Sequence, residues 1–230
     1  MRILALDTSG ASQSVALLEE ERCLRENFEA RPPSHSETLI ASIQNALDAL
    51  GWRLGDLDLF AVSAGPGSFT GLRIGISTVK GLARALGKPV VGVSTLLALV
   101  RPRLAAGRTV IACLDARCGE VYAGAYAGVP EAPVEVLADR AWPIESFLQH
   151  LGEIPGEKWF LGDALSAYPG RFAGLGRILE GGEAARVSAA EVGRLALSLF
   201  REGKAVEGSQ LQVRYLRVSE AENRRLKQKE

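Results

Sequence analysis

Two short segments of this 230-residue chain combine residue types at spacings that could do chemistry. The first is Asp7-Thr8-Ser9-Gly10. One carboxylate, two hydroxyls and a glycine in a turn can cradle a nucleotide phosphate, with hydroxyls and amides on the anion and the aspartate on magnesium. The same four residues are also ordinary turn formers, and the sequence leaves both readings open. The second segment is AGPGSFTG (64–71), which ends an apolar strand and opens a helix, where free amides and the helix dipole favour anions. It lacks the Gly-Lys-Ser/Thr ending of a phosphate-binding P-loop, so that reading fails. Its other reading is a tight turn with a close-packed helix behind it.

Other chemistries find little material. The two histidines, His35 and His150, have no second histidine at helical spacing, so no zinc or iron site can be drawn and no tightly bound metal is expected. His35 falls in the first turn of a helix, where a surface or structural role is expected. Three cysteines, Cys23, Cys113 and Cys118, make no even disulfide framework and lack zinc spacing, which suits reduced thiols. Ser68 and Ser94 have no evident His and Asp partners, and GPGSFTG is not the Gly-x-Ser-x-Gly elbow. Cys113 lies in an apolar strand, where burial is expected rather than reactivity. Asp115, Arg117, Glu120, Tyr122 and Tyr126 cluster about one turn, as a binding surface or as a solvated hairpin edge.

The elements that must position these residues follow one pattern written twice. RILALD (2–7), SVALLE (14–19) and CLRENF (23–28) form an antiparallel meander. Ser34 and Glu37 make a capping-box pattern, and Leu39, Ile40, Ile43, Leu47 and Leu50 recur at helical spacing until Gly51. DLFAVSA (58–64) is a buried strand, and a long helix opens at Thr70. That helix carries Gly71, Gly75 and Gly81, each costing about 1 kcal/mol relative to Ala, so a backbone or ligand must come very close. PVVGV (89–93) is a fifth strand. From Arg108 the order recurs: TVIACLD (109–115), EVYAGAY (120–126), VEVLA (134–138), a helix over 143–151, KWFLG (158–162) and a periodic helix over 189–201. No residue-level repeat accompanies it. This order implies an α/β fold of the duplicated actin-like (ASKHA, ribonuclease H-like) type, two lobes each with a mixed sheet flanked by helices. Residues 1–105 are expected to form the first lobe, 106–218 a smaller second lobe, and 219–230 a solvated charged tail.

Composition narrows the class. Lys plus Arg and Asp plus Glu are balanced at 27 each, so no global field recruits nucleic acid or a membrane. The apolar run in MRILALDTSG is too short for a signal peptide and no run approaches a membrane span, so a cytoplasmic protein is expected.

ALDTS near the start, AGPGSFTGLRIGIS with VKGLA and PVVGVSTL behind it, LDARCGEVYAGAY, and Tyr215-Leu216-Arg217 resemble the TsaB (YeaZ) family in order and spacing over nearly the whole chain. Two departures stand out. Gly162-Asp163-Ala164-Leu165 replaces the family's Gly-Asp-Gly-Ala, and Val213-Arg214 stands where a Pro commonly precedes Tyr-Leu-Arg. The resemblance implies a bacterial subunit of the machinery that adds threonylcarbamoyl to the adenosine beside the anticodon of tRNA. It implies a non-catalytic scaffold, the degenerate paralogue of the catalytic subunit TsaD. The catalytic paralogue continues its equivalent of VVGVSTLLALV (90–100) into two metal-binding histidines, and none stands here. No catalytic residue, metal or cofactor is then expected, with Asp7, Thr8 and Ser9 the remaining candidates for a nucleotide. Implied partners are a TsaD-like sister subunit, a TsaE-like ATPase and tRNA within the complex, with a homodimer when the chain is alone. The family pairs through its first two helices, which carries the interface onto Leu39, Ile43, Leu47, Gly71, Leu72, Gly75, Thr78 and Val79. In this chain Gly71, Gly75 and Thr78 line one side of their helix, and that small-residue stripe suits close approach of another helix or of the chain's own neighbouring element. The rival class is an ATP-binding phosphotransferase or peptidase of the same fold. Such an enzyme needs a further glycine-rich loop late in the chain, and GLGRILEGGEAA (174–185) offers glycines without a clear strand-to-helix turn.

Overall fold

The computed structural model describes residues 1–179 and 186–217, so the charged tail and part of the segment 174–185 lie outside the described residues. The first half runs β1 (Arg2–Asp7), β2 (Gln13–Glu19), β3 (Arg22–Glu29), α1 (His35–Leu50), β4 (Leu59–Gly65), α2 (Phe69–Leu86), β5 (Val90–Ser94) and α3 (Thr95–Val100). The second runs β6 (Arg108–Arg117), β7 (Glu120–Val129), β8 (Ala132–Pro143), α4 (Ile144–His150), β9 (Glu157–Leu161), α5 (Ala164–Ala167), β10 (Arg177–Ile178) and α6 (Ala189–Arg201).

The two sheets have the same topology. In the first the order is β3-β2-β1-β4-β5, and in the second, read from the other edge, β8-β7-β6-β9-β10. Each meander is antiparallel, and the two remaining strands of each half join it in parallel. This is the duplicated actin-like fold that the element order implies. The halves differ in their helices: α2 has 18 residues and its counterpart α5 has 4.

Strand alternation sets the layers. Leu4 and Leu6 of β1, with Val15, Leu17, Phe60 and Val62, pack under α1 and α2. Ile3 and Ala5, with Ala16, Leu18 and Ala61, face the opposite way onto α3 and α6. Val110, Ala112 and Leu161 of the second sheet close that middle layer from the far side. Ile111, Cys113, Val121 and Ala123 then pack outward on Phe147, Phe160 and Phe172. Sheets covered on both faces need apolar residues at successive positions, which is why β1 and β6 read as continuous apolar runs.

Three local expectations are corrected. The helix expected in the second lobe, α6, packs on β1, β2, β4 and β5 of the first sheet, and α3 packs on β4 and β5 of its own sheet as well as on β6 and β7 of the second. Both helices thus fill the layer between the two sheets. The Ser34 capping box does not form: Ser34 Oγ hydrogen-bonds Ser36 Oγ at 2.7 Å, and no side chain caps α1. α2 begins at Phe69 rather than Thr70, because Ser68 is the cap and its Oγ accepts the Gly71 amide at 3.2 Å.

Beyond α6 the chain forms a strap that the sequence does not signal. Val206 bridges Val90, Leu211 O accepts from Lys80 Nζ at 3.0 Å, and the Arg214 amide donates to Ala64 O at 2.7 Å. Arg217 then reaches the second half, donating to Ala116 O at 2.7 Å and pairing with Glu120 at 2.9 Å.

Candidate functional site

The Asp7-Thr8-Ser9 turn leaves the C-terminal end of β1 and lies directly beneath the loop that opens α2. Its hydroxyls are engaged within the chain itself. Thr8 Oγ1 donates to Gly71 O at 2.7 Å, Ser9 Oγ donates to Asp7 Oδ1 at 2.7 Å, and the Ser68 amide donates to Ser9 O at 2.7 Å. Asp7, Thr8 and Ser9 are 1%, 1% and 3% exposed. The glycines explain the seal: a Cβ on Gly67 would strike Ser9 O, one on Gly71 would strike Thr8 O, and one on Gly75 would strike Thr8 Oγ1. Burial pushes the Asp7 carboxyl above the ordinary carboxylate range, with the Ser63 and Ser9 hydroxyls pulling part of the way back. Ser63 Oγ acts through proximity, since it makes no hydrogen bond of normal geometry.

The second half repeats this device. Gly162 follows β9 directly where Gly65 ends β4, both at positive φ (119° and 123°), and a Cβ on Gly162 would strike Cys113 O on β6. Asp163 Oδ1 accepts the Asp115 amide at 2.8 Å. Burial drives the Cys113 thiol far above its usual range, so it is held as an inert thiol.

The charged cluster at the β6–β7 hairpin is mostly engaged with itself. Cys118 and Gly119, with φ of 54° and 78°, form the two-residue turn between paired Arg117 and Glu120. Arg117 pairs with Asp115 at 3.3 Å, Tyr168 OH donates to Asp115 Oδ1 at 3.2 Å, and Glu120 holds Arg217. The cluster therefore anchors the strap. Arg117 remains outward, its side chain 82% exposed.

A buried constellation that the sequence did not suggest lies at the junction of the halves. Asp139 on β8 accepts hydrogen bonds from Ser94 Oγ at 2.5 Å and Tyr126 OH at 2.5 Å, with Arg214 Nη1 at 3.5 Å. Gly124 makes room, because a Cβ there would strike Asp139 Oδ1. Ser94 also caps α3 through the Leu97 amide at 3.2 Å. Burial and the Asp139 carboxylate push the Tyr126 phenol far above its ordinary range. One carboxylate thus ties β8, the start of α3 and the strap. The only sequence sign was an isolated Asp in a strand.

Between α3 and the start of α6 is a cavity of about 210 Å³, lined in part by Leu99, Arg103, Leu161, Ser188 and Glu191. It is smaller than the roughly 300–1,000 Å³ of usual ligand pockets. Glu191 is already shared by Arg101 and Arg194.

On the two long helices, Leu39, Ile43 and Leu47 of α1 and Gly71, Leu72, Gly75 and Val79 of α2 are buried in the chain itself, and Thr78 is partly exposed. The stripe of Gly71 and Gly75 faces the Thr8 turn. The outer surface of the pair instead presents Glu37, Ile40, Gln44 and Asp48 on α1, and Arg73, Ser77, Gly81 and Arg84 on α2. Ile40 is 57% exposed, and nothing lies within 4 Å of where a Gly81 Cβ would be. Among the described residues no three His, Cys, Asp or Glu side chains gather as metal ligands, and no helix is long and apolar enough to cross a membrane.

A duplicated actin-like chain whose Asp7-Thr8-Ser9 turn is closed over by its own glycine loop defines the class. The comparisons agree with that class and give the family. Residues 29–160 match the family model described as "TsaD: tRNA N6-adenosine threonylcarbamoyltransferase". The chain is 34% identical over 225 residues to the tRNA threonylcarbamoyladenosine biosynthesis protein TsaB of Escherichia coli, covering 94% of this chain and 95% of that one. It is 32% identical over 168 residues to TsaB of Bacillus subtilis, covering 73% of each. Among solved structures, YeaZ from Pseudomonas aeruginosa superposes with a TM-score of 0.80 at 32% identity, over 94% of this chain and 99% of that one. The chain belongs to the TsaB (YeaZ) family.

Proposed function

We propose that this chain is a non-catalytic subunit in the addition of threonylcarbamoyl to the adenosine beside the anticodon of tRNA, acting by pairing with a TsaD-like sister and enabling its activity. The observation that carries the reading is the sealed turn at Asp7-Thr8-Ser9. An actin-like enzyme needs those groups free for phosphate, and here each hydroxyl already donates within the chain. The relatives named as biosynthesis proteins for threonylcarbamoyladenosine support the pathway. A TsaE-like ATPase and the tRNA join through the assembled complex.

The α1–α2 pair is the proposed partner face, with a homodimer forming through it when the sister is absent. The buried residues Leu39, Ile43, Leu47, Leu72 and Val79 shape the face from beneath, and contact falls to the outward set. That set is Glu37, Ile40, Gln44 and Asp48 on α1 with Ser77, Gly81 and Arg84 on α2. Acid on α1 and base at the C-terminal end of α2 suits a pairing of two such hairpins into a four-helix bundle. Light scattering of the chain alone and mixed with the sister tests the pairing. Threonylcarbamoyl transfer to tRNA by the sister, with and without this chain, tests the function. Transfer or ATP hydrolysis by this chain alone, abolished by Asp7→Ala, would overturn the reading in favour of the phosphotransferase.

A further inference from the structure

At the start of α2, Phe69 and Tyr215 lie side by side on the surface with ring centroids 5.2 Å apart and planes 25° from parallel. The Arg73 guanidinium lies over the Phe69 ring at 4.8 Å. Phe69 is 42% exposed and Tyr215 is 47% exposed. Half-exposed aromatic rings leave apolar area in water, and neither ring contributes to the hydrophobic clusters of the core. Tyr215 is held in place by its neighbours in the strap, through Arg214 on Ala64 O and Arg217 on Ala116 O. The platform therefore joins the start of α2 to a strap held by hydrogen bonds on either side of Tyr215.

Its charge selects among occupants. Arg73 pairs with no carboxylate among the described residues, and α2 carries no Asp or Glu in its first turn. Arg214, beside Tyr215, has half its side chain in solvent, while its partner Asp139 is wholly buried, so the surface presents the cation and hides the anion. A stacked aromatic pair with unpaired guanidinium charge fits a flat, π-faced, anionic ligand. Bases of single-stranded RNA with their phosphates have that chemistry, whereas paired bases in a duplex do not expose their faces.

We infer that the Phe69–Tyr215 stack with Arg73 is a docking platform for an unpaired nucleotide of an RNA strand, the base stacking on the Tyr215 ring that Phe69 backs and the phosphate drawn to Arg73 and Arg214. The inference rests on the tRNA-modification reading for the source of the RNA, and it locates where on this subunit a strand would lie.

The test uses the full chain, a fluorescein-labelled single-stranded RNA decamer and an RNA duplex of the same length, read by anisotropy at two salt concentrations. The single strand should bind more tightly than the duplex and lose affinity as salt rises. Tyr215→Ala should weaken single-strand binding about 10-fold and Tyr215→Phe should leave it near wild type, since the ring face carries the contact. Arg73→Ala should weaken binding and flatten the salt dependence. The same variants are assayed in parallel for sister pairing and for support of its transfer activity. No single-strand binding, or binding indifferent to Tyr215→Ala, overturns the platform while leaving the function intact if wild-type chain still activates the sister. Tyr215→Ala that loses the sister but keeps the RNA makes the patch a protein contact and also overturns it. Wild-type chain that fails to activate the sister, yet binds RNA through Tyr215, overturns the proposed function and not the platform.

Discussion

The carbonyl oxygen of Thr8 occupies the space that a Cβ on Gly71 would need, and the Thr8 hydroxyl donates back to the Gly71 carbonyl at 2.7 Å. The first strand and the second helix are joined at this point, backbone against backbone. Three glycines in one helix signalled that something comes very close, and for Gly71 and Gly75 that neighbour is the turn after β1. The same contact that fixes α2 on the sheet also removes the turn from solvent.

Gly71→Ala should therefore destabilise the isolated chain, because the atom it strikes is backbone and cannot swing aside. A loss of roughly 1–3 kcal/mol is expected, in the range of overpacking substitutions. Gly75→Leu should cost at least as much, through Thr8 Oγ1 and the Val62 side chain. Urea unfolding of both variants checks this; midpoints equal to wild type would mean that the turn yields freely.

Asp7 gives a pH signature. Its folded pKa is raised above the 3.8 of a free aspartate, mainly by desolvation, so the folded state holds its proton more tightly than the unfolded chain. Stability from this group is full below that value and is lost as pH rises through the folded pKa. Asp7→Asn keeps an acceptor for Ser9 without the charge. The variant should gain stability relative to wild type as pH rises from 4.5 to 7.5, measured as the difference between their urea midpoints. A difference that stays flat, or runs the other way, would show that the charged carboxylate is better solvated than its burial suggests.

Asp139→Ala should be among the most damaging polar substitutions. It strands the hydroxyls of Tyr126 and Ser94 and frees Arg214, at roughly 1–3 kcal/mol for each buried group left without a partner. Because the strap loses its tie, proteolysis in the segment 205–217 should also accelerate. Limited trypsin digestion alongside thermal melts checks both effects; a variant that melts normally and resists trypsin would assign the lobe junction to apolar packing alone.

Much of this molecule was legible because burial on two faces makes a strand apolar throughout. RILALD and TVIACLD, the first strands of the two halves, are each covered by helices on both sides, and the element order carried the duplicated fold. α6 was found to the residue, from its strong periodicity, but not its address: period shows that a helix has an apolar face and not which sheet that face meets. The strap over 205–217 was invisible because it is held largely at main-chain atoms, Val206 on Val90, the Arg214 amide on Ala64 O, Leu211 O accepting from Lys80 and Arg217 reaching Ala116 O, which leave no periodic side-chain pattern. Asp139 was missed for a related reason, since its partners Ser94, Tyr126 and Arg214 are far apart in sequence. The glycine stripe implied a close approach without saying to what, and for Gly71 and Gly75 the neighbour within this chain is the turn after β1.

The third glycine of α2 separates folding from pairing. Gly81 is exposed, and no atom of the described chain lies within 4 Å of where its Cβ would stand. Unlike Gly71 and Gly75, it has no reason within the chain to lack a side chain. Gly81→Ala should then raise the stability of the isolated subunit by about 1 kcal/mol, the ordinary gain for a helix interior. Gly81→Leu should fold at least as well as wild type, since its side chain enters open solvent. On the proposed partner face the same side chain would hold two helices apart, and overpacking of about 1–3 kcal/mol corresponds to roughly 5- to 150-fold weaker pairing. Denaturation of the subunit at low concentration and titration against the sister read the two effects separately. A Gly81→Leu chain that is stable and still binds the sister at wild-type affinity would remove the α1–α2 surface from the interface.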